Sequence, residues 1–276
     1  MLPNVLGIGV QRSGTTWLHN QLAMHPEVCV PDKRKEVHYF DRYYENGINW
    51  YKSFFSCDGK GGNVSCIAEI TPMYMYDPNV PKRILDTLGS VRFIVILRDP
   101  VDRAVSQYRL AKRQFNLRED FREYLEGNPD VLKRGIYTEQ LDNYFKLFAP
   151  KSFLFLRFED VTRNPALIFD QLSRFLDISR IGFDEAAGKE VSNEGFSPRL
   201  GGLYATGKKL VDYLRDHDMD YAVNFLKRMN VGVLAGRNKN RVKIMPNDLE
   251  FLRSYYCTEV DRLEAMLGID LSNWRQ

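Results

Sequence analysis

A glycine-bounded segment near the amino terminus has the composition of a phosphate-binding loop. Gly9 to Thr16 reads GVQRSGTT and lies between an apolar run, Val5 to Val10, and a run with helical spacing, Thr15 to Met24. Backbone amides at the start of a helix bind anions, and glycine lets the chain approach the ligand closely. The spacing is close to G-x-x-x-x-G-K-[ST], but Thr15 stands where that motif has its lysine. The segment predicts a phosphate or sulfate site, with a plain strand-to-helix turn as the alternative, and argues against hydrolysis of a magnesium nucleoside triphosphate.

Short apolar runs alternate with amphipathic runs along most of the chain. The apolar runs predict strands at Val5–Val10, Ile67–Ile70, Val91–Leu97 and Phe153–Leu156. Apolar residues that recur every three or four positions predict helices. These helices are Thr15–Met24, Pro81–Leu88, Asp99 to about Gln114, Leu132–Phe148, Pro165–Leu176, Lys208–Arg228 and Asn247–Leu267. The alternation predicts an α/β fold of three layers, with a central parallel sheet flanked by helices.

The composition is that of a folded globular protein. The 276 residues are 44% hydrophobic and 27% charged, with a formal net charge of +3, which excludes a disordered chain, collagen and a small disulfide scaffold. A pI of about 8.5 is too mildly basic for a general nucleic-acid binder. No apolar run approaches the ~20 residues of a membrane-spanning helix, and the first residues lack the features of a signal peptide. We therefore expect a soluble, cytoplasmic protein without a nucleic-acid partner or a membrane span.

The four cysteines are predicted to be reduced thiols. Cys29, Cys57, Cys66 and Cys257 form no C-x-x-C pair. Without an export signal, disulfides are not expected. A Cys57–Cys66 bridge across the glycine-rich segment between them is the alternative.

A second candidate anion site follows the apolar run Val91 to Leu97. Arg98 is at the carboxyl end of this predicted strand, where α/β folds place their ligands. Ser106 comes two turns into the predicted helix that follows, in a position to face the same crevice. Because a guanidinium and a hydroxyl suit a phosphate dianion, this pair is a candidate phosphate site.

Both segments resemble those of sulfotransferases that use 3′-phosphoadenosine-5′-phosphosulfate (PAPS). Gly9 to Leu18, GVQRSGTTWL, is similar to the 5′-phosphosulfate loop of that superfamily. Leu97 to Tyr108, LRDPVDRAVSQY, is similar to its 3′-phosphate motif. The resemblance implies a P-loop-like fold, PAPS as the sulfuryl donor and the desulfated nucleotide PAP as the product.

Shorter segments extend the resemblance from about residue 5 to residue 250, in the order that the superfamily has them. Lys35 to Phe40 reads KEVHYF and resembles the K-E-x-H-[FY]-F segment of heparan-sulfate-type sulfotransferases and their bacterial relatives. Further matches are Glu69–Tyr74 (EITPMY), Gly135–Tyr137 (GIY), Phe158–Asp160 (FED) with Asn164-Pro165, and the basic stretch Gly236–Arg241.

The resemblance implies which residues bind the nucleotide. Trp17 would stack on adenine, although a core aromatic is an equally good interpretation. The segment from Tyr221 to Asn247 has six basic residues and no acidic one, which indicates either a solvated basic loop or an anion clamp. The full set implied for the nucleotide is Arg12, Ser13, Gly14, Thr15, Thr16, Trp17, Arg98, Ser106, Tyr137, Lys239, Asn240 and Arg241.

The resemblance also implies a mechanism without a metal. Glu36 would be the general base that takes the acceptor proton. Lys35 would hold the sulfuryl oxygens or tune Glu36, and Arg12 would stabilise the leaving phosphate. His38 would orient the acceptor or Glu36, with a structural histidine as the alternative. The four histidines are scattered along the sequence, so no metal site is predicted.

Three departures bear on the substrate. Arg12 replaces the more usual lysine of the first loop, Asn240 stands where relatives have glycine, and Ile70 replaces the lysine of glycosaminoglycan enzymes. The acceptor group is expected to be a hydroxyl or an amine. Glycans, lipids, small natural products and carrier-bound acyl chains all stay open as the molecule that carries it. The competing functions are a P-loop nucleotide kinase and a non-catalytic module that binds PAP or another nucleotide.

One domain is predicted for residues 1–276. Periodicity weakens from Ile181 to about Thr206, where Gly, Ser, Asn and Pro accumulate. We expect a surface excursion or lid over 181–206 that contributes to acceptor binding.

Overall fold

The computed structural model of the protein describes residues 1–57, 60, 64–115, 117–183, 207, 210–211, 213–216, 219–223 and 242–275. Its strands within these ranges are β1 (Val5–Gly9), β2 (Val28–Cys29), β3 (Cys66–Ile70), β4 (Arg92–Leu97) and β5 (Phe153–Arg157). They form one parallel sheet in the order β2-β3-β1-β4-β5. The parallel sheet of the predicted α/β fold is confirmed.

Helices connect and flank these strands in the described part of the chain. They are α1 (Thr15–Met24), α2 (Gly47–Lys52), α3 (Val80–Leu88), α4 (Pro100–Phe115), α5 (Phe121–Gly127), α6 (Asp130–Lys133), α7 (Tyr137–Phe145), α8 (Phe158–Arg163), α9 (Pro165–Leu176) and α10 (Pro246–Leu267). Short 3₁₀ turns occur at Tyr44–Asn46, Pro150–Ser152, Arg180–Gly182 and Ser272–Arg275.

The chain divides into two compact units. The first comprises Met1–Asp99 and Tyr137–Asn193 and contains the whole sheet. The second comprises Pro100–Ile136 and Glu194–Gln276, and in it α10 packs against α4. The single domain expected over residues 1–276 stays a prediction.

The two central strands explain how the sheet positions the site. β1 is buried along its whole length, and β4 is buried after Arg92, as expected for parallel strands covered on both faces. The two strands pair in parallel, with Gly9 opposite Val95. Their carboxyl ends therefore lie at one edge of the sheet, where the loop after β1 and Arg98 after β4 both begin.

The helix predicted over Leu132–Phe148 is wrong, because the chain breaks into α6 and α7 around Gly135. A Cβ at Gly135 would lie 2.6 Å from ring atoms of Tyr256. The Tyr256 hydroxyl donates to the carbonyl of Leu132 at 2.8 Å. Only glycine leaves room for this ring, so the contact accounts for the glycine between the two helices.

A disulfide joins Cys29 and Cys57, with their Cα atoms 5.5 Å apart. This corrects the prediction that the four cysteines are reduced, and it also replaces the alternative Cys57–Cys66 bridge. Cys66 is a buried free thiol in β3, and Cys257 is an exposed one on α10. Disulfides persist in oxidising compartments and are rare in the cytosol, so the bond argues against the expected cytoplasmic location.

The pairing predicts the number of free thiols in the purified protein. Unfolded without reductant, the chain should react with two equivalents of a thiol reagent, and with four after reduction, because Cys29 and Cys57 are linked. Mass spectrometry of the alkylated peptides should find label on Cys66 and Cys257 alone. Four equivalents without reduction would contradict the pairing.

Some predictions fall outside the described residues. The predicted lid is described only from Ile181 to Phe183, and the predicted helix Lys208–Arg228 only in part. Lys239, Asn240 and Arg241 are outside the described ranges, so their part in nucleotide binding stays a prediction. Among the residues that are described, no helix is both long and apolar enough to cross a membrane.

Candidate active site

The loop between β1 and α1 has the geometry of an anion cradle. Arg12 and Gly14 both adopt left-handed backbone conformations, with φ of 74° and 82°. Gly14 caps α1 without a side-chain hydrogen bond, and a Cβ there would lie 3.2 Å from the ring of Phe158. The amides of the first turn of α1 have no acceptor within the helix, so they are available to an anion.

A buried hydroxyl in this loop also fits an anionic ligand. Ser13 is fully buried, and its Oγ has no hydrogen-bond partner among the described residues. A buried hydroxyl without a partner is unfavourable by about 1–3 kcal/mol. A phosphate or sulfate oxygen in the loop would supply the missing partner, so the loop fits the predicted group.

Arg98 lies against this loop. Its Nη1 donates to the carbonyl of Arg12 at 2.8 Å, and its guanidinium lies 4.5 Å from the centre of the Phe158 ring. The buried Tyr137 donates its hydroxyl to the carbonyl of Arg98 at 2.9 Å. The structure thus brings Arg12, Arg98 and Tyr137 together, with Tyr137 holding the backbone of Arg98.

Lys35 connects the loop to the segment Lys35–Asp41, which we call the catalytic segment. Its Nζ donates to Thr16 Oγ1 at 2.9 Å and to Glu36 Oε1 at 2.8 Å. Thr16 is in the first turn of α1, directly after the anion cradle. The predicted base Glu36 is therefore adjacent in sequence to a lysine that is hydrogen-bonded to the predicted phosphate loop.

Glu36, His38 and Asp41 form a chain of polar contacts. His38 Nε2 lies 3.5 Å from Glu36 Oε2, and His38 Nδ1 lies 2.9 Å from Asp41 Oδ2. Glu36 is one-third exposed, whereas the side chains of His38 and Asp41 are 14% and 8% exposed. Asp41 was not among the predicted site residues, and its spacing of three residues from His38 was the only signal for it in the sequence.

These contacts shift the pKa values of both reacting candidates. Burial alone would raise the pKa of Glu36, but the hydrogen bond with His38 and the charge of Lys35 outweigh it and lower the pKa to about 2. Burial alone would lower the pKa of His38, but its bonds to Asp41 and Glu36 raise it to about 9. At neutral pH, Glu36 is a carboxylate between two cations.

His19 is a further site residue that the sequence analysis left unassigned. It follows Thr16 by three residues on α1, so the two share a face of the helix beside Lys35. Burial and the charge of Lys35 lower its pKa to about 4. His19 is therefore neutral at pH 7 and adds no charge beside Glu36.

The backbone around the catalytic segment is held on its amino-terminal side by aromatic rings. Arg34 is 5% exposed, and its guanidinium lies 5.1–5.6 Å from the ring centres of Phe54, Tyr43 and Trp50. The Cys29–Cys57 disulfide closes the stretch of chain that contains these rings and the catalytic segment. Within it, His38 has a φ of 60°, a left-handed conformation that is strained for a residue other than glycine.

The raised pKa of His38 can be tested directly. Because the Asp41 carboxylate favours the charged imidazole, Asp41→Asn should move the His38 titration midpoint from about 9 down toward the ordinary value of 6.5. Imidazole NMR across pH 5–10 measures this midpoint. Asp32→Asn is the control, since Asp32 is in the same stretch but accepts from Ser56. An unchanged midpoint in Asp41→Asn would contradict the contact.

Two of the remaining predicted residues have different surroundings. Trp17 is 5% exposed and stacks on Phe169 of α9 in the core, with ring centroids 5.5 Å apart, which supports the core interpretation. Ser106 is half-buried on α4 in the second unit, and its pairing with Arg98 stays a prediction. The described residues contain no group of three or more His, Cys, Asp or Glu arranged to hold a metal, and the metal-free mechanism stays a prediction.

Comparison with known proteins gives a consistent family. The family model described as a sulfotransferase domain matches residues 2–193. The chain is 27% identical, over 273 aligned positions, to the membrane-associated sulfotransferase kil1 of Dictyostelium discoideum, with 67% of this chain and 58% of that protein covered. It is 31% identical over 193 positions to human heparan sulfate glucosamine 3-O-sulfotransferase 6, with 66% and 54% covered. The chain thus spans little more than half the length of these relatives.

A solved structure has the same fold. The crystal structure of a sulfotransferase from Alicyclobacillus acidocaldarius superimposes with a TM-score of 0.71 over the whole of both chains, at 22% identity. This likeness confirms the predicted P-loop-like three-layer fold.

Proposed function

The chain belongs to the sulfotransferase family, and from that premise we propose that it transfers the sulfuryl group of PAPS to an acceptor hydroxyl. The observation that carries the proposal is the position of Glu36. Its carboxylate contacts Lys35, and the same Lys35 ammonium bonds Thr16, directly after the anion cradle. One lysine thereby contacts both the base and the anion site. Transfer between nucleotide and acceptor requires these two sites to be close together.

The donor would occupy the cradle between β1 and α1. Bound there, PAPS supplies an activated sulfuryl group whose leaving group is a phosphate. The amides of the first turn of α1, the Ser13 hydroxyl and the Arg12 side chain would bind the 5′ end. Arg98 would bind the 3′-phosphate with Ser106, while Tyr137 holds the backbone of Arg98. Lys239, Asn240 and Arg241 complete the set that we propose for the nucleotide.

Glu36 would remove the acceptor proton as the acceptor oxygen attacks sulfur. A new S–O bond then forms on the acceptor, the bond from sulfur to the phosphate oxygen breaks, and the proton goes to Glu36. In the structure Lys35 and His38 hold Glu36 with a pKa of about 2, which is low for a base. We propose that Lys35 turns toward the sulfuryl oxygens when the donor binds, which removes a cation from Glu36 and raises its basicity.

His38 would act as a fixed positive charge beside the base. Its protonated imidazole bonds Asp41 on one side and Glu36 on the other, so it keeps the carboxylate oriented. Arg12 and the loop amides would stabilise the negative charge on the leaving phosphate. Neither role requires a metal ion.

The acceptor is proposed to be a hydroxyl of a glycan, a lipid or a small natural product, with an amine or a carrier-bound acyl chain as further candidates. The similarity to a heparan sulfate glucosamine 3-O-sulfotransferase supports a glycan hydroxyl. Ile70 weakens the case for a sulfated glycosaminoglycan, because an apolar side chain stands where those enzymes have a lysine.

The proposal is tested with ³⁵S-labelled PAPS and one acceptor of each class. Label should move to at least one acceptor, and PAP should form in equal amount. Phosphoryl transfer from Mg-ATP to any of these acceptors would instead favour a kinase.

A further inference from the structure

Behind the catalytic segment lies a buried carboxylate that the proposed mechanism does not use. Glu69 of β3 is completely buried and belongs to the first unit. Three hydroxyls donate to it: Thr71 at 2.6 Å, Tyr74 at 2.7 Å and Tyr51 through a very short hydrogen bond. All three donor residues are also completely buried. We call these four residues the Glu69 cluster.

Two members of the Glu69 cluster extend to the catalytic segment. The Tyr74 hydroxyl, which donates to Glu69, also accepts the backbone N–H of Phe40 at 3.4 Å. The Tyr51 ring stacks on the ring of Tyr39, with centroids 4.3 Å apart and planes within 7°. Tyr39 and Phe40 directly follow His38, so the hydrogen bond and the ring stack both lie next to the residue whose backbone is strained.

Thr71 differs from the two tyrosines in one respect that matters for a test. Its hydroxyl donates to the same carboxylate, and its backbone amide bonds the carbonyl of Gly7 in β1. No contact described in the structure runs from Thr71 to the catalytic segment. Loss of its hydroxyl therefore removes one hydrogen bond to Glu69 and no contact between the Glu69 cluster and the catalytic segment.

We propose that Glu69 is a positioning residue that holds the backbone of the catalytic segment through Tyr74 and Tyr51. A carboxylate accepts all three hydroxyls at once, because each oxygen has two lone pairs and no proton to place. An amide in its place offers two N–H groups, so at least one hydroxyl must turn away. Such a change loosens the segment without substituting Glu36, His38 or a residue of the anion cradle, and its effect on catalysis rests on the proposed function.

The three hydroxyl donors reduce the cost of burying this carboxyl group. Burial raises the pKa of Glu69, and the hydrogen bonds from Thr71, Tyr51 and Tyr74 and the charge of His38 offset that rise only in part. Tyr74 is also held by a residue outside the Glu69 cluster, since the Tyr144 hydroxyl donates to the carbonyl of Tyr74 at 2.9 Å. Phe40 is bonded at its carbonyl as well as at its N–H, because Arg83 Nη1 donates to that carbonyl at 2.7 Å.

The test compares Tyr74→Phe and Glu69→Gln with Thr71→Val in the full chain. The first measurement is the hydrogen-exchange rate of the Phe40 amide, which needs no activity. Tyr74→Phe should raise this rate about fivefold, the equivalent of one hydrogen bond. Glu69→Gln should raise it as well, and Thr71→Val should leave it within twofold of the parent.

The second measurement separates turnover from binding. Tyr74→Phe and Glu69→Gln should lower kcat about tenfold or more, because a displaced base or orienting group reduces the fraction of productive encounters. The KM for PAPS and the Kd for PAP should stay within twofold. Thr71→Val should lower the melting temperature about as much as the other two variants do, but it should leave kcat unchanged. If the Glu69 cluster acted on stability alone, variants with equal losses of stability would have equal kcat.

The outcomes decide between the two proposals. Unchanged exchange at Phe40 in Tyr74→Phe, or an equal loss of kcat in Thr71→Val, would overturn the positioning role. If Glu69→Gln does not fold, Tyr74→Phe and Thr71→Val still provide the comparison. If the parent protein transfers no sulfate, the proposed function fails, while the exchange rates still test the tie between Glu69 and the catalytic segment.

Discussion

Glu36→Gln should lower kcat for sulfuryl transfer by about 10³-fold. Glutamine has nearly the shape of glutamate, and its amide oxygen can still accept from Lys35, but it cannot take a proton from the acceptor. The contact of Lys35 with Thr16 does not involve Glu36 and should persist. The Kd for PAP should therefore stay within about threefold of the parent value, because the anion cradle is unchanged.

Glu45→Gln is the matched control for this loss. Glu45 is an exposed carboxylate close behind the catalytic segment, in the turn Tyr44–Asn46. Its substitution changes the net charge by the same amount and should leave kcat within twofold. Near-normal turnover in Glu36→Gln would remove Glu36 from the role of base.

Arg98→Ala should weaken the binding of PAP about a hundredfold, with a much smaller effect on adenosine 5′-monophosphate. The difference is expected because the two nucleotides differ by the 3′-phosphate, which we assign to this guanidinium. Titration calorimetry of both nucleotides against both proteins gives the selectivity directly.

Arg92→Ala provides the control on the same strand. Arg92 begins β4 and donates to the carbonyl of Phe175 at 3.0 Å, at the end of the strand remote from the cradle. Its substitution should leave the affinity for PAP unchanged. Equal losses for PAP and adenosine 5′-monophosphate in Arg98→Ala would show that Arg98 does not bind the 3′-phosphate.

Local signals in the sequence were sufficient for several elements of the fold. The limits of α1 and α9 agree with the predicted Thr15–Met24 and Pro165–Leu176. Gly14 in a left-handed conformation precedes α1, and Asn164 caps α9 through its side chain with proline in the first turn. Where such end signals are present, the boundary depends on neighbouring residues alone and can be predicted.

Features that depend on distant residues could not be predicted in the same way. The glycine at position 135 is explained by the ring of Tyr256, which follows more than a hundred residues later. The partner of Cys57 is Cys29, which the fold brings to it across a separation of 28 residues. In both cases the feature depends on a tertiary contact, which no local sequence pattern predicts.

The candidate site shows the same division. The family pattern pointed to Lys35, Glu36 and His38, and the structure brings these three into contact. The contacts that support them could not be predicted. Asp41 was indicated only by its spacing from His38, and Glu69 belongs to the family-like segment Glu69–Tyr74, but only the fold shows what either carboxylate bonds. Trp17 was ambiguous, since an aromatic residue early in a helix can face either a nucleotide or the core.

The most direct test of the central claim is calorimetric binding of PAP, with ADP and Mg-ATP as comparators. A site built around Arg12, Ser13 and Arg98 for a nucleotide with a 3′-phosphate should bind PAP at least about a hundredfold more tightly than ADP. It should gain nothing from magnesium. Preference for Mg-ATP, or equal affinity for PAP and ADP, would contradict the proposal that the chain is a PAPS-dependent sulfotransferase.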